Sequence, residues 1–342
     1  MKILLTVVLI LTSSFCFELK NNLSEYNIYL GNPRNLSPSE RYLPYELITP
    51  LFTDYAFKHR MIHIPGGKKI LYNDTTVFDF PIGTIIVKTF YYLSNFNDSN
   101  SDVDLVETRL LVHEDLGWKA YPYIWDDNDL DAKLTLVGGE KIVKWKKDNK
   151  KNEINYFIPN VNQCTSCHSN NGEILPIGPS ARQLNSDFTY SELGIKNQLE
   201  KWYELGIIDS LPNKNNIPKI AKWNDVESGS INDRARAWLD INCAHCHNIN
   251  GTASNTGLYL DIYQTDNKAL GIYKRPVAAG RGSGGLMYDI VPGKPNQSIL
   301  VYRYNSTDPA IMMPELGRTL IHKEALDIIS SWIKGLDVKE NK

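Results

Sequence analysis

The chain has few cysteines and no general excess of charge of either sign. Only 5 of its 342 residues are cysteine, and 37 Lys and Arg residues nearly balance 39 Asp and Glu residues, for a formal net charge of -2. Four of the five cysteines lie in two short motifs, which leaves none for a structural disulfide network. Without a global basic field or a nucleic-acid motif, the sequence does not indicate a nucleic-acid partner.

Long apolar runs are absent after the N-terminus. Residues 3–11 form a nine-residue, mostly apolar run that follows Lys2 and precedes Thr12. A spanning helix needs about 20 apolar residues, so this pattern is typical of a short signal peptide. We predict a signal peptide over residues 1–16 and export to the periplasm or the outer-membrane surface. Cys16 is either a lipid-modified anchor, the one expected membrane attachment, or leaves with the signal peptide.

Motifs of common enzyme classes are also missing. Neither G-x-S-x-G nor H-E-x-x-H occurs in the chain. Residues 280–285 match G-x-G-x-x-G literally, but no helical pattern follows them, as a dinucleotide site requires. We therefore predict no catalytic residue.

The sequence does contain Cys-x-x-Cys-His twice, at residues 164–168 (the first motif) and 243–247 (the second motif). This pentapeptide is the attachment site of c-type haem. The prediction is two covalently attached haem groups, with thioether bonds to the cysteines and iron ligation by the histidines: Cys164, Cys167, Cys243 and Cys246; His168 and His247. Zinc ribbons space their pairs by about 15 to 20 residues, which the interval between these two motifs far exceeds.

Each iron needs a second axial ligand. Met313, directly before Pro314, is the predicted ligand for the second motif, with Met312 as the alternative. No Met lies between His168 and Gly285, so the distal ligand of the first site stays open. The candidates for the distal ligand of the first site are His59, Met61, His63, His113 and Met287, and an iron without a distal ligand is the alternative there. In the second motif, we expect His245 to point away from the haem.

Hydrophobic patterning divides the chain. Residues 17–40 are polar and predict a linker or arm. Residues 41–160 contain short β-branched and aromatic runs between turn signals, which predict an antiparallel sandwich or barrel-like sheet. Residues 161–225 form the first haem-binding segment. Beyond them, apolar residues at helical spacing predict helices over 231–242, capped by Ser230, and 323–334, with Trp238 and Trp332 facing each other.

Residues 226–338 resemble a class I cytochrome c domain, through the run 289–295 and the Met312–Arg318 segment. Segments 45–56, 80–84, 107–112 and 163–168 are similar to a family of exported bacterial dihaem c-type cytochromes. The resemblance implies an α+β multidomain protein, with an N-terminal antiparallel β-rich domain followed by a mostly α-helical cytochrome c-like haem region.

The implied function is electron transfer between a redox protein donor and a redox protein acceptor through two haem groups. Met/His ligation leaves an iron no open position for substrate and raises its reduction potential relative to harder ligands. Two alternatives stay open at this point. One is a dihaem peroxidase or oxidase with an open first haem, and the other is a haem-based redox sensor or partner-binding module.

Overall fold

A computed structural model describes residues 17–191 and 194–337 of the chain. The predicted signal peptide and Cys16 lie outside the described residues. Within the described part of the chain, no helix combines the length and the apolar character needed to cross a bilayer.

The largest element is a six-stranded antiparallel sheet in the order β1-β2-β3-β4-β5-β6, so each strand pairs with its neighbour in sequence. Its central strands are rich in β-branched and aromatic residues, which favour a pleated, half-buried surface. Gly117, with a φ of +100°, closes the turn between β4 and β5, a conformation that favours glycine. The strands are Leu43–Tyr45, Phe57–His63, Ile85–Leu93, Val103–Glu114, Gly117–Trp125 and Ala132–Leu134.

Alternation along these strands divides the side chains between two faces. Met61, Val87 and Leu110 pack on one face, which Leu23 and Ile28 of the N-terminal arm cover. The opposite face carries Ile62, Ile86 and Leu111, and these pack against Cys164 and Ile241 from the two motif-bearing segments. The sheet thus forms a wall against which both motifs are positioned.

A separate hairpin, β7 (Gly139–Lys147) and β8 (Lys150–Ile158), continues this wall. Val143, Trp145 and Tyr156 of the hairpin pack against Phe90 and Tyr92 of β3. The sequence prediction of antiparallel strands in residues 41–160 is therefore confirmed, as a six-stranded sheet with an added hairpin.

The remaining regular elements are two short two-stranded sheets and six α-helices of the described chain, of which α4 and α6 are the longest. The strands are β9 (Ser169–Asn170) paired with β10 (Glu173–Ile174), and β11 (Asp187–Tyr190) paired with β12 (Gly194–Asn197). The α-helices are α1 (Val161–His168), α2 (Ala181–Leu184), α3 (Gln198–Glu204), α4 (Ile231–Asn242), α5 (Ile299–Tyr304) and α6 (Lys323–Gly335).

The prediction of a mostly α-helical, cytochrome c-like region after the sheet is wrong. The described chain is 23% helical and 28% strand, and its largest unit is the antiparallel sheet. No α-helix occurs between the described residues Cys243 and Ser298. The physical reason lies in the composition of this segment, because glycines 251, 257, 271, 280, 282, 284, 285 and 293 and prolines 276, 292 and 295 interrupt it. Glycine and proline are the two residues least favourable in a helix interior.

The two helices that frame this segment agree with the sequence. Helix α4 spans Ile231–Asn242, and the Ser230 hydroxyl accepts a hydrogen bond from the Asp233 amide in a capping box. Trp238 and Trp332 are buried in one cluster between α4 and α6. The predicted packing of these two tryptophan faces is confirmed.

Candidate haem-binding sites

The first motif occupies the end of helix α1. The Asn160 side chain accepts from the Gln163 amide and the Gln163 side chain accepts from the Asn160 amide, which caps the helix. Cys164 and Cys167 therefore lie about one helical turn apart on the same side. Both thiols are free, and His168 ends the helix directly after them.

The imidazole of His168 is oriented by its backbone surroundings. Its Nδ1 lies 2.7 Å from the carbonyl oxygen of Leu175. A hydrogen bond from Nδ1–H to a carbonyl assigns the proton to Nδ1 and leaves Nε2 as the metal-binding nitrogen. Burial lowers the pKa of His168 to about 4, so the ring is neutral at pH 7, as a metal ligand must be.

The second motif begins where helix α4 ends. The amides of Cys246 and His247 both donate to the carbonyl of Cys243, at 3.2 Å and 2.9 Å, and so form a tight turn. Leu260 donates its amide to the His247 carbonyl at 2.9 Å. Burial lowers the pKa of His247 to about 4, which again gives a neutral imidazole.

Two arginines hold the segment that carries Met313. The Met313 amide donates to the Arg303 carbonyl at 3.2 Å, and the Arg318 guanidinium donates to the Met313 carbonyl at 2.7 Å. After burial, the charge of Arg303 is the main influence lowering the pKa of His247. Iron ligation at the second site by Met313, or by the more buried Met312, stays a prediction.

A cavity with a volume of about 130 Å³ opens beside the first motif. Cys164, Cys167 and His168 form one side of it, and Ile86 and Leu111 of the sheet form another. The third side comes from the second half of the chain, through Trp238, Ile241, His245, Pro314 and Leu316. Such a mostly apolar lining with few polar groups is typical of sites for large flat cofactors.

Arg60, Lys88 and Arg109 line this cavity from the sheet, and Lys58 lies beside them over the Phe90 ring; these four form the cation cluster. Three of them gather around the Phe90 ring, since Arg109 lies 4.4 Å, Lys88 4.9 Å and Lys58 5.9 Å from its centroid. Their positions on neighbouring strands explain this, because Lys58 pairs with Phe90 and Lys88 pairs with Arg109 in the sheet register.

The carboxylates around the cation cluster compensate only part of its charge. Arg109 pairs with the fully buried Glu107, and Arg60 Nη1 lies 3.2 Å from Glu46. Neither Lys58 nor Lys88 forms an ion pair with the described acidic residues. Burial and the adjacent cations lower the pKa of Lys58 to about 7 and the pKa of Lys88 well below its usual range.

An anionic group in the cavity would relieve this imbalance. A buried charge without a counter-ion is strongly unfavourable, and Arg60 Nη2 and Arg318 Nε, both on cavity-lining residues, are buried without a hydrogen-bond partner. A haem group has a large apolar macrocycle and two carboxylates, so the residues present fit it. The apolar walls suit the ring, and the cation cluster suits the carboxylates.

The two motifs lie next to each other. Asn170, two residues after the first motif, forms an antiparallel bridge with Gly251, four residues after the second. The Asn171 amide donates to the Asn250 carbonyl at 2.7 Å, and the Thr252 hydroxyl donates to the Ser166 carbonyl at 3.4 Å. The segments that hold the two predicted cofactors are therefore joined directly.

The structure does not place the candidate distal ligands of the first site in the cavity. His59, Met61 and His63 alternate with Arg60 along β2, so they point to the opposite face of the sheet. His113 stacks on Trp118 and lies 2.8 Å from the Phe80 carbonyl. Met287 is 58% exposed on the surface. None of the five is among the cavity-lining residues.

His245 and the cation cluster were missed by the sequence reasoning. His245 lines the cavity of the first motif, whereas the sequence predicts only that it points away from the haem of the second motif. The available signal is helical spacing, because Trp238, Ile241 and His245 stand at i, i+3 and i+7 and all line the cavity. The cation cluster gave a weaker signal, namely Lys and Arg at alternate positions of three apolar strands.

Within residues 17–191 and 194–337, no group of three or more His, Cys, Asp or Glu side chains is placed to hold a bare metal ion. A covalently attached haem requires no such group, because the porphyrin supplies four of the iron ligands. No protein-family model, no curated protein and no solved structure matches this chain, so the family resemblance stays a prediction from the motifs.

Proposed function

We propose that this protein is an exported dihaem c-type cytochrome that passes electrons between a redox protein donor and a redox protein acceptor. The observation that carries the proposal is the cavity beside the first motif. Its thiols and its neutral histidine face an apolar space, and the opposite wall carries buried cations without sufficient counter-charge. The second motif contains the same set of ligand residues, and the Asn170–Gly251 bridge joins the two motif-bearing segments.

The cofactor and the chain would have different roles in this function. When bound, haem supplies a reversible one-electron couple at iron. Cys164 and Cys167, with Cys243 and Cys246, hold the two groups covalently, and His168 and His247 each present one neutral nitrogen to an iron. The Leu175 carbonyl keeps the His168 ring oriented, and the cation cluster would balance the haem carboxylates.

The contacts between the two motifs support transfer within the molecule. The Asn170–Gly251 bridge and the Asn171–Asn250 hydrogen bond fix the spacing of the attachment segments, since both are backbone interactions. A fixed, short spacing favours rapid electron exchange without any movement of the chain. Contact with external partners would then be weak and transient, as it generally is for electron-transfer proteins.

Export is part of the same proposal and rests on the N-terminal sequence alone. Covalent attachment keeps a cofactor with its protein in a compartment where a free cofactor would diffuse away. Sequencing the N-terminus of the mature protein tests this, with cleavage near residues 14–16 expected, and lipid on Cys16 as the form that would anchor it.

The decisive experiment is intact-mass analysis of protein produced in a host that attaches haem c. We expect the mass of the mature chain plus two haem groups. The double variants C164S/C167S and C243S/C246S should each carry one haem. A polypeptide with only the mass of its own residues would overturn the proposal.

A further inference from the structure

We propose that His245, inside the second motif, is the distal axial ligand of the haem held by the first motif. The inference rests on the proposed function and adds what the sequence left open, the sixth ligand of the first iron. In this arrangement each of the adjacent motifs takes part in the first site, and the first haem has two imidazole ligands.

The cavity carries the argument. His168 and His245 both line it, although they come from motifs that are far apart in sequence. A haem attached to Cys164 and Cys167 with His168 on one side presents its other side to the remaining walls of that cavity. His245 is the histidine among those walls.

The orientation of the His245 ring agrees with ligation. Its Nδ1 lies 3.3 Å from the carbonyl oxygen of Ile241, one helical turn earlier. This hydrogen bond assigns the proton to Nδ1 and leaves Nε2 as the free nitrogen, the same arrangement that the Leu175 carbonyl gives His168. Two rings in the same tautomer therefore line one cavity, as a pair of axial ligands requires.

Lys88 is the competing nitrogen donor in the lining. Its Nζ lies over the Phe90 ring, as do the side-chain cations of Lys58 and Arg109. This concentration of positive charge favours an anion and disfavours a metal cation. A protonated lysine cannot bind iron, and a haem carboxylate beside Lys88 would oppose the lowering of its pKa by burial and would favour its protonated form. We therefore assign Lys88 to the carboxylates and His245 to the iron.

The test uses the mature dihaem protein and the variant His245→Ala, with ferric spin state and potentiometric titration as readouts. We expect both haems to be low-spin in the parent and one to be high-spin in the variant, with two haem groups still present by mass. Added imidazole should restore the low-spin spectrum. Only one reduction potential should change, because the second site keeps its own ligands.

The variant His245→Met provides a second test, in which the sixth coordination position of the first iron is filled by a different ligand. A thioether in place of imidazole should keep the iron low-spin and raise one potential, since Met/His ligation has the higher potential. His113→Ala is the matched control, because His113 is a partly buried histidine outside the cavity.

Two results would overturn the inference. One is an unchanged low-spin spectrum and unchanged potentials in His245→Ala, and the other is a high-spin haem in Lys88→Leu instead, since leucine cannot bind iron. Failure of the proposed function would give a different result, because mass analysis of the parent protein would then show no attached haem. Two attached haems together with an unaffected His245→Ala variant would contradict only the assignment of His245.

Discussion

At the scale of single residues, the site is defined by buried groups that lack a complementary partner. Lys88 shares the sheet wall of the cavity with Arg60 and Arg109, and its amine forms no ion pair with the described acidic residues. Arg60 and Arg318 each retain a buried nitrogen without a hydrogen bond. Native interiors rarely keep such groups unless something else satisfies them. Their clustering around one cavity therefore makes this cavity favourable for an anionic group.

Lys88→Met should lower the reduction potential of one haem. A protonated amine near iron favours the reduced state, which carries one less positive charge. A tenfold change in preference for the reduced state corresponds to roughly 59 mV for a one-electron couple, so we expect a decrease of tens of millivolts. Potentiometric titration with optical detection measures this change.

The matched control for Lys88→Met is Lys144→Met. Lys144 lies on a neighbouring hairpin strand and is paired with Glu153, but its side chain is 72% exposed. Its removal should leave both potentials unchanged. A potential in Lys88→Met equal to that of the parent would mean that Lys88 is neutral in the mature protein and does not balance a carboxylate.

At the scale of elements, the sequence predicted regular segments well and the connection between them poorly. The alternating runs around Ile86 and Leu111 have the period of a strand, and the spacing of Ala235 and Trp238 has the period of a helix, so local patterning identified both. The segment after His247 has no such period. Its glycines and prolines exclude a helix, but its path depends on contacts such as the one between Leu260 and the His247 carbonyl. Those contacts are between residues distant in sequence, which patterning does not reveal.

The candidate site shows the same division. The ligands inside the two pentapeptides are readable from the sequence because attachment requires a fixed local spacing. The cavity is different, because β2, β3 and β4 bring Arg60, Lys88 and Arg109 together only when the sheet is paired in its register. His245 reaches the same cavity only when helix α4 packs on that sheet.

The α4–α6 pair is the element on which the second motif depends. Trp332 is 2% exposed, and its Nε1 donates to the Asn232 side chain at 3.0 Å. Trp332→Ala should lower the free energy of unfolding by about 3 to 5 kcal/mol, because it removes a large buried side chain and leaves a cavity. Denaturant unfolding followed by circular dichroism measures the loss.

Ile231→Ala is the control for Trp332→Ala. Ile231 begins α4 but is 38% exposed, so its truncation should cost well under the value for Trp332. Equal losses in the two variants would contradict the view that the tryptophan faces hold this pair together.

At the scale of the whole molecule, the sheet and the C-terminal half are joined by a small number of buried polar contacts. The Asp54 carboxylate, between β1 and β2, accepts hydrogen bonds from the Thr319 amide, the Thr319 hydroxyl and the Leu320 amide at 2.7 to 3.0 Å. Thr319 directly follows Arg318, which holds the Met313 carbonyl. Asp54 therefore links the sheet to the segment predicted to carry the distal methionine.

Asp54→Asn should weaken this link, since one of its two acceptor oxygens becomes an amide donor that faces backbone N–H groups. An unsatisfied buried donor costs about 1 to 3 kcal/mol. We expect lower stability and a weaker thioether-to-iron charge-transfer band at the second haem. Denaturant unfolding and optical spectroscopy measure the two effects.

Asp127→Asn, at an exposed loop aspartate, serves as the control for Asp54→Asn and should change neither quantity. If Asp54→Asn destabilised the fold but left the band at full intensity, the axial ligand of the second iron would have to come from a segment other than the one that Asp54 anchors.

The bridge between Asn170 and Gly251 has a consequence for biogenesis. If the protein is exported as proposed, a chain that emerges N-terminus first would present the first pentapeptide before Gly251 has followed. The bridge from Asn170 to Gly251 and the cavity wall that Trp238 and Ile241 contribute would then form only after the second motif had been translocated. Haem attachment at Cys164 and Cys167 would therefore precede completion of the cavity.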